Sequence, residues 1–181
     1  MRTQFIALTC LMVLAAPASW AQGASGRQAT PAPAAGRNVD AKDHSAVIAY
    51  LVSQKSPVLP AASKTAISQD FNGAPLAGKP AVHKVNADKV YCRARNQQPE
   101  GANANCTVTY APGKTATITG EDARKLYITF GKAGVQDDGA AGSIERVVTK
   151  LACTVDDKVA QGKPGNGDVI PGFACSFTTD P

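Results

Sequence analysis

The chain contains four short runs in which apolar and polar side chains alternate, a pattern typical of strands with one buried face. The runs begin near Val90, Cys106, Val147 and Phe173. A polar segment separates the first run from the second, and another separates the third from the fourth. Two alternating runs joined by a polar segment indicate a β-hairpin. The pattern therefore predicts two hairpins.

Each of the four runs carries one cysteine on its apolar side, namely Cys92, Cys106, Cys153 and Cys175. Four cysteines allow three pairings, and the sequence alone does not choose among them. The hairpins favour Cys92 with Cys106 and Cys153 with Cys175, and the loop-closure model gives each bridge about 3 kcal/mol. Because the cysteines share the apolar side of each strand, we interpret them as structural bridges rather than reactive thiols.

Two other stretches have the periodicity of helices. Apolar side chains recur at helical spacing in residues 41–54, and residues 119–131 begin with a capping-box pattern and end at Gly131. The stretch 57–80 between them contains prolines and glycines with little periodicity, so we predict an irregular connection there. A third short strand is predicted at 115–119.

Together these elements predict an α+β fold. We expect an antiparallel sheet, built from the two disulfide-stapled hairpins, to pack against one or two helices. The order of the elements is consistent with a tandem α-β-β repeat. The sequence contains few large aromatic residues, so the predicted core is modest and the disulfides would supplement it.

The N-terminal segment has the features of a signal peptide. Arg2 precedes an apolar run, and small residues occupy the positions before Gln22 that a signal peptidase inspects. The apolar run is too short to span a bilayer. We therefore predict a signal peptide at 1–21, an Ala/Pro-rich disordered tether at 22–39, and a single domain at 40–181 with its compact core at 80–181. The mature protein is expected to be periplasmic or secreted, where disulfides persist.

The charge of the chain is only mildly positive. The formal net charge is +5, and it falls to +4 when the predicted signal peptide is removed with Arg2. Such an excess is compatible with anionic partners, but it is far from the basic signature of nucleic-acid binding. We therefore predict no nucleic-acid partner, and no transmembrane segment after signal cleavage.

The sequence contains no complete motif for catalysis or for a bound cofactor. Residues 73–79 match the spacing of a phosphate-binding loop, but Pro80 stands where a Ser or Thr should coordinate magnesium. There is no serine-nucleophile elbow and no zinc-binding pair of cysteines or histidines. We predict a non-enzymatic protein without metal or cofactor. A hydrolase with an unrecognised site around His44 or His83 is a weaker alternative.

The polar positions opposite the cysteines are the candidate binding residues. Tyr91, Arg93 and Arg95 alternate with the apolar positions of the first run. In the third run, Arg146 and Lys150 are expected to alternate with Val147, Leu151, Cys153 and Val155. If the two strands are neighbours, four cations and an aromatic ring share one surface. Such a surface could bind an acidic protein loop, a lipid phosphate or an anionic polysaccharide. An ordinary solvated sheet face is the alternative interpretation.

The sequence therefore predicts an exported binding module. One specific version of this prediction is an inhibitor or a ligand of an envelope or extracellular protein. Binding is expected through the basic sheet face and the loops at 96–105 and 157–168. The expected partner is a protein or an anionic envelope component. A tethered structural or envelope accessory protein is the alternative from a different class.

Overall fold

The computed structural model of the chain describes residues 36–95, 103–137, 143–160 and 169–179. The predicted signal peptide and most of the predicted tether lie outside these residues, as do large parts of the two predicted binding loops.

The described residues form one sheet covered by helices. The strands are β1 (Asn38–Asp40), β2 (Val82–Arg95), β3 (Asn105–Ala111), β4 (Lys114–Thr119), β5 (Ser143–Asp156) and β6 (Phe173–Thr179). The helices are α1 (Ser45–Lys55), α2 (Ala61–Phe71), α3 (Gly120–Lys132) and α4 (Asp157–Ala160). All neighbouring strands are antiparallel, in the order β1-β6-β5-β2-β3-β4. The predicted α+β class is confirmed. No helix in the described residues is long and apolar enough to cross a bilayer.

Both predicted hairpins and both predicted disulfides are present. Cys92 lies opposite Cys106 in the β2–β3 pair, Cys153 lies opposite Cys175 in the β5–β6 pair, and each pair is bonded. All four residues are buried on the face of the sheet that the helices cover. The disulfides therefore belong to the core, as the alternation predicts.

An internal repeat relates the two halves of the sheet. Adding 61 to the residue numbers of β2 gives those of β5, and the same offset places α2 on the last eleven residues of α3. Gly73 and Gly134 are related by this offset too, and both have positive φ, 67° and 90°. Because β2 and β5 pair antiparallel at the centre of the sheet, the two α-β-β units meet about an approximate two-fold axis.

The buried face changes phase in the middle of both central strands. In β2, two consecutive exposed residues separate the buried Ala87 from the buried Val90. In β5, two residues separate Val148 from Leu151, and one of them, Lys150, has a φ of 53°. The pairing of β5 with β6 shifts its register at the same place. A bulge of this kind bends a strand and changes the face to which later side chains point.

The prediction of one uniform alternation along β5 is therefore wrong. A slip of one residue moves every following side chain to the other face. Val148, not Val147, is fully buried, and it lies opposite Val90. Val147 lies opposite Tyr91 on the outer face, by which we mean the face away from the helices.

Helix α1 contributes much of the core, which extends beyond the predicted 80–181. Eight of its eleven residues are buried. The Tyr110 hydroxyl of β3 donates a hydrogen bond of 2.6 Å to the Val52 carbonyl, and burial raises the pKa of this phenol. At the other end of the helix, the Cys175 amide donates to Ser45 Oγ at 2.9 Å. Buried polar groups are normally hydrogen-bonded, and these two bonds satisfy such groups while they attach the two ends of α1 to β3 and β6.

Helix α2 occupies part of the stretch predicted to be irregular, so that prediction is wrong for Ala61–Phe71. Within this helix only Ile67 and Asp70 are buried. A helix with so narrow a buried surface has no clear apolar stripe, and the sequence therefore gives no helical period. The prolines that suggested a loop lie before and after it, and Pro60 stands at its N-cap.

Helix α3 is confirmed, but its ends differ from the prediction. Thr119 occupies the N-cap, yet its side chain makes no capping hydrogen bond. The helix continues through Gly131 to Lys132, and the left-handed glycine that follows it is Gly134. Gly131 therefore does not end the helix.

Candidate binding groove

A groove of about 440 Å³ lies on the outer face at the C-terminal end of β2. Three of the five predicted binding residues line it, and its polar lining consists of Tyr91, Arg93, Arg95, Asn103, Asn105 and Thr107. The hairpin register explains this grouping, because Arg93 lies opposite Asn105 and Tyr91 lies opposite Thr107. Directly opposed residues in a sheet project to the same face. We call this feature the outer-face groove.

Glu145 of β5 lies beside two of the residues that line the groove, Tyr91 and Arg93. It lies opposite Arg93 in the β2–β5 pair, and Arg93 Nε is 3.5 Å from Glu145 Oε1. The pKa of Tyr91 is raised. The larger cause is a hydrogen bond from its hydroxyl to Glu145, and the next is partial burial. The carboxylate thus interacts with both a phenol and a guanidinium of β2. The Arg93 side chain is 61% exposed.

Arg95 is the second cation of the groove. It is exposed, and it has no ion-pair partner among the described residues. A guanidinium presents five donors in a planar fork that matches a carboxylate in bidentate geometry. The groove therefore combines two such forks with amide and hydroxyl side chains from β3.

Arg146 does not belong to the groove, and the prediction that it shares a face with Tyr91, Arg93 and Arg95 is wrong. It lies opposite Cys92, on the helix-covered face, because of the phase change in β5. Its Nη1 donates to the Tyr127 carbonyl at 2.6 Å, and its Nε lies 2.8 Å from Asp137 Oδ1. The guanidinium carbon is 4.1 Å from the centre of the Tyr127 ring.

The absence of a side chain at Gly131 makes room for this arginine. A Cβ at residue 131 would overlap the guanidinium of Arg146. The Tyr127 hydroxyl donates a hydrogen bond to Asp137 at 2.6 Å. The pKa of Tyr127 is raised, mainly by burial and secondly by this hydrogen bond. Arg146 therefore joins β5 to α3, and its partners leave it little capacity to bind another molecule.

Lys150 also lies apart from the groove. It is exposed at the β5 bulge, beside Thr149, which pairs with Lys89 of β2. It does not line the groove. The structure thus brings together three of the five predicted residues and separates Arg146 and Lys150 from them.

His83, the candidate for the hydrolase alternative, forms a pair with Asp157. Its Nε2 is 2.9 Å from Asp157 Oδ2, and the pair lines a cavity of about 480 Å³ beside α2. Thr65 supplies the hydroxyl of that lining, and it donates to the Ala61 carbonyl at 3.1 Å. A serine-type site needs a nucleophile bonded to the histidine, and the described lining does not show one.

The sequence analysis did not identify Thr107 or Glu145, and it included Asn103 and Asn105 only as part of the predicted binding loop 96–105. Asn105 and Thr107 follow from the hairpin register, which the paired cysteines already imply, since Cys92 opposite Cys106 places Arg93 opposite Asn105 and Tyr91 opposite Thr107. Glu145 could be identified only from the pairing of β2 with β5, and no local pattern in the sequence predicts that pairing.

The chain matched no protein-family model, no curated protein sequence and no solved structure. The groove and its chemistry are therefore the basis for a functional assignment.

Proposed function

We propose that the chain is an exported, non-enzymatic binding module that holds an acidic segment of an envelope or extracellular protein in the outer-face groove. The observation that carries the proposal is the pair of guanidinium groups on one strand face, beside a phenol and three amide or hydroxyl side chains. Acidic side chains are the natural ligands of such a group, because charge-assisted bonds from arginine to a carboxylate are short and strong.

The position of Glu145 supports the same assignment. Its carboxylate interacts with Arg93 and with Tyr91, so two residues of the groove already accept a carboxylate as a neighbour. Arg95, exposed and two residues further along the strand, offers the same chemistry to a second carboxylate. An acidic segment would then be bound by Arg95, with the Arg93 guanidinium beside it in the groove.

The disulfides support export. Both lie in the core and join neighbouring strands, which is consistent with a domain that must stay folded in an oxidising compartment. The Cys92–Cys106 disulfide also fixes the β2–β3 pairing from which the groove is made. A rigid binding surface loses less conformational entropy when a partner binds.

The proposal is tested by recovering partners from native envelope and extracellular fractions with the oxidised protein, and then measuring the affinity of the purified partner. We expect Arg93→Ala/Arg95→Ala to weaken binding by about tenfold or more, since each lost charge-assisted bond is worth about 1.5–3 kcal/mol. Lys84→Ala/Lys89→Ala is the matched control, because it removes the same charge from the same strand outside the groove. Equal effects of the two double variants would reject the groove.

A second candidate is a tethered envelope accessory protein, and the anchoring of residue 37 favours it. The Thr179 amide donates to the Arg37 carbonyl at 2.9 Å, and Arg37 Nη2 donates to the Gly134 carbonyl at 3.2 Å. Residue 37 is therefore held at a fixed point of the described domain. We expect deletion of residues 22–35 to leave partner affinity unchanged for a free binding module. Loss of envelope association with unchanged affinity would instead favour the tethered protein.

A further inference from the structure

The two edges of the sheet differ in how they are protected. β1 forms one edge and is three residues long, between Arg37 and the turn that Asp40 makes with the Lys42 amide. β4 forms the other edge and is six residues long. Edge strands expose unpaired backbone donors and acceptors, and proteins usually shorten them or protect them with charges, prolines or bulges.

β4 lacks most of these protective features. After Lys114, the sequence Thr-Ala-Thr-Ile-Thr contains no charge and no proline, and four of its five residues are β-branched. The only partner strand of β4 in the described residues is β3. Thr115, Thr117 and Thr119 are exposed, whereas Ile118 is buried on the helix-covered face. From Thr115 to Thr119 the pairing of β4 with β3 is regular, the one register shift lies at the Lys114 end, and no described strand pairs with the other side of β4.

We propose that two copies of this chain pair antiparallel through β4, about a two-fold axis at Thr117. The sequence of the strand is complementary to itself in this register. Thr115 of one copy lies opposite Thr119 of the other, and Ala116 lies opposite Ile118. Threonine pairs would continue the outer face, and the apolar residues would continue the helix-covered face, as cross-strand pairing in a sheet requires.

The charges next to β4 are complementary in the same register. Lys114 of one copy comes opposite Gly120 of the other, beside the exposed Glu121 and Asp122 at the start of α3. Glu121 has an ion pair with Arg124 at 3.1 Å, whereas Asp122 has none among the described residues. Each end of the paired strands would therefore bring a lysine to an unpaired carboxylate, and a parallel pairing would not.

This pairing has a consequence for binding that goes beyond the proposed function. A two-fold axis perpendicular to the sheet keeps both outer faces on the same side, as the internal axis between β2 and β5 does within one chain. The dimer would form one twelve-stranded sheet with two outer-face grooves on one surface. Two linked sites raise the avidity for a partner that carries repeated acidic segments.

The test is the molar mass of the oxidised full-length mature protein by sedimentation over a range of concentrations. We expect a concentration-dependent dimer. Thr117→Lys places two like charges side by side at the axis and should raise the dimer dissociation constant by about fivefold. Thr154→Lys adds the same charge at an exposed position of β5 and should leave the constant unchanged. Thermal unfolding of each variant checks that the monomer is intact.

A charge exchange provides the second arm. Lys114→Glu should weaken the dimer, and the double variant Lys114→Glu/Asp122→Lys should restore it. If Lys114→Glu weakened the dimer by unfolding the monomer, the second substitution would not restore it. A monomer at every concentration overturns the proposal. So does a dimer that Thr117→Lys leaves unchanged, or one that Thr154→Lys weakens equally. Neither result bears on the outer-face groove, because partner affinity is measured separately with the arginine variants.

Discussion

At the scale of single residues, the clearest relation is between Gly131 and Arg146. A glycine inside a helix is normally a cost, about 1 kcal/mol relative to alanine. Here it lets the guanidinium lie against α3, where it bonds the Tyr127 carbonyl and pairs with Asp137. The helix therefore gives up intrinsic propensity to hold a half-buried arginine between α3 and β5.

This relation predicts a reversal of sign. We expect Gly131→Ala to destabilise the protein by about 1 kcal/mol, because displacement of a charged hydrogen-bonded group outweighs the gain in helix propensity. In an Arg146→Ala background the same substitution should be neutral or stabilising, since the clash is gone. Gly78→Ala is the control, because a Cβ there meets no atom within 4 Å. Urea unfolding of the four proteins in the cycle measures the coupling. If Gly131→Ala changes the free energy of unfolding equally in both backgrounds, the effect does not come from the contact with Arg146.

At the scale of elements, the sequence predicted what local pattern determines and failed where distant strands set the geometry. The hairpins, both disulfides and α3 follow from alternation and helical spacing. The phase of β5 does not, because the bulge at Lys150 is accommodated by β2, which changes phase at the paired position. A uniform alternation from Val147 was the simplest interpretation, and it put Arg146 on the wrong face. Helix α2 was missed because its narrow buried surface leaves no period to detect.

The candidate site divides in the same way. Tyr91, Arg93 and Arg95 are neighbours on one strand, so simple alternation identifies them. Asn105 and Thr107 could have been added from the predicted cysteine pairing. Which residues of β5 lie beside the groove depends on the register between β2 and β5, two strands that are far apart in the sequence. The strand order that sets it cannot be obtained from one sequence by pattern alone.

At the scale of the whole molecule, two α-β-β units meet along β2 and β5 to form one sheet with two different faces. The face under the helices contains the disulfides and the core, and it uses Arg146 and Tyr110 to fix α3 and α1. The outer face is polar and contains the groove. The division explains how the chain can be stabilised on one side while the other is left available for a partner.

The central claim is that the outer-face groove binds acidic segments, and its most direct test is a titration of the isotope-labelled, oxidised protein with a glutamate-rich peptide, followed by amide chemical shifts. We predict that the largest shifts occur at Tyr91, Arg93, Arg95, Asn105 and Thr107, decrease as salt is added, and disappear in Arg93→Ala/Arg95→Ala. Shifts centred on His83 and Asp157, or shifts that the double variant retains, would contradict the claim.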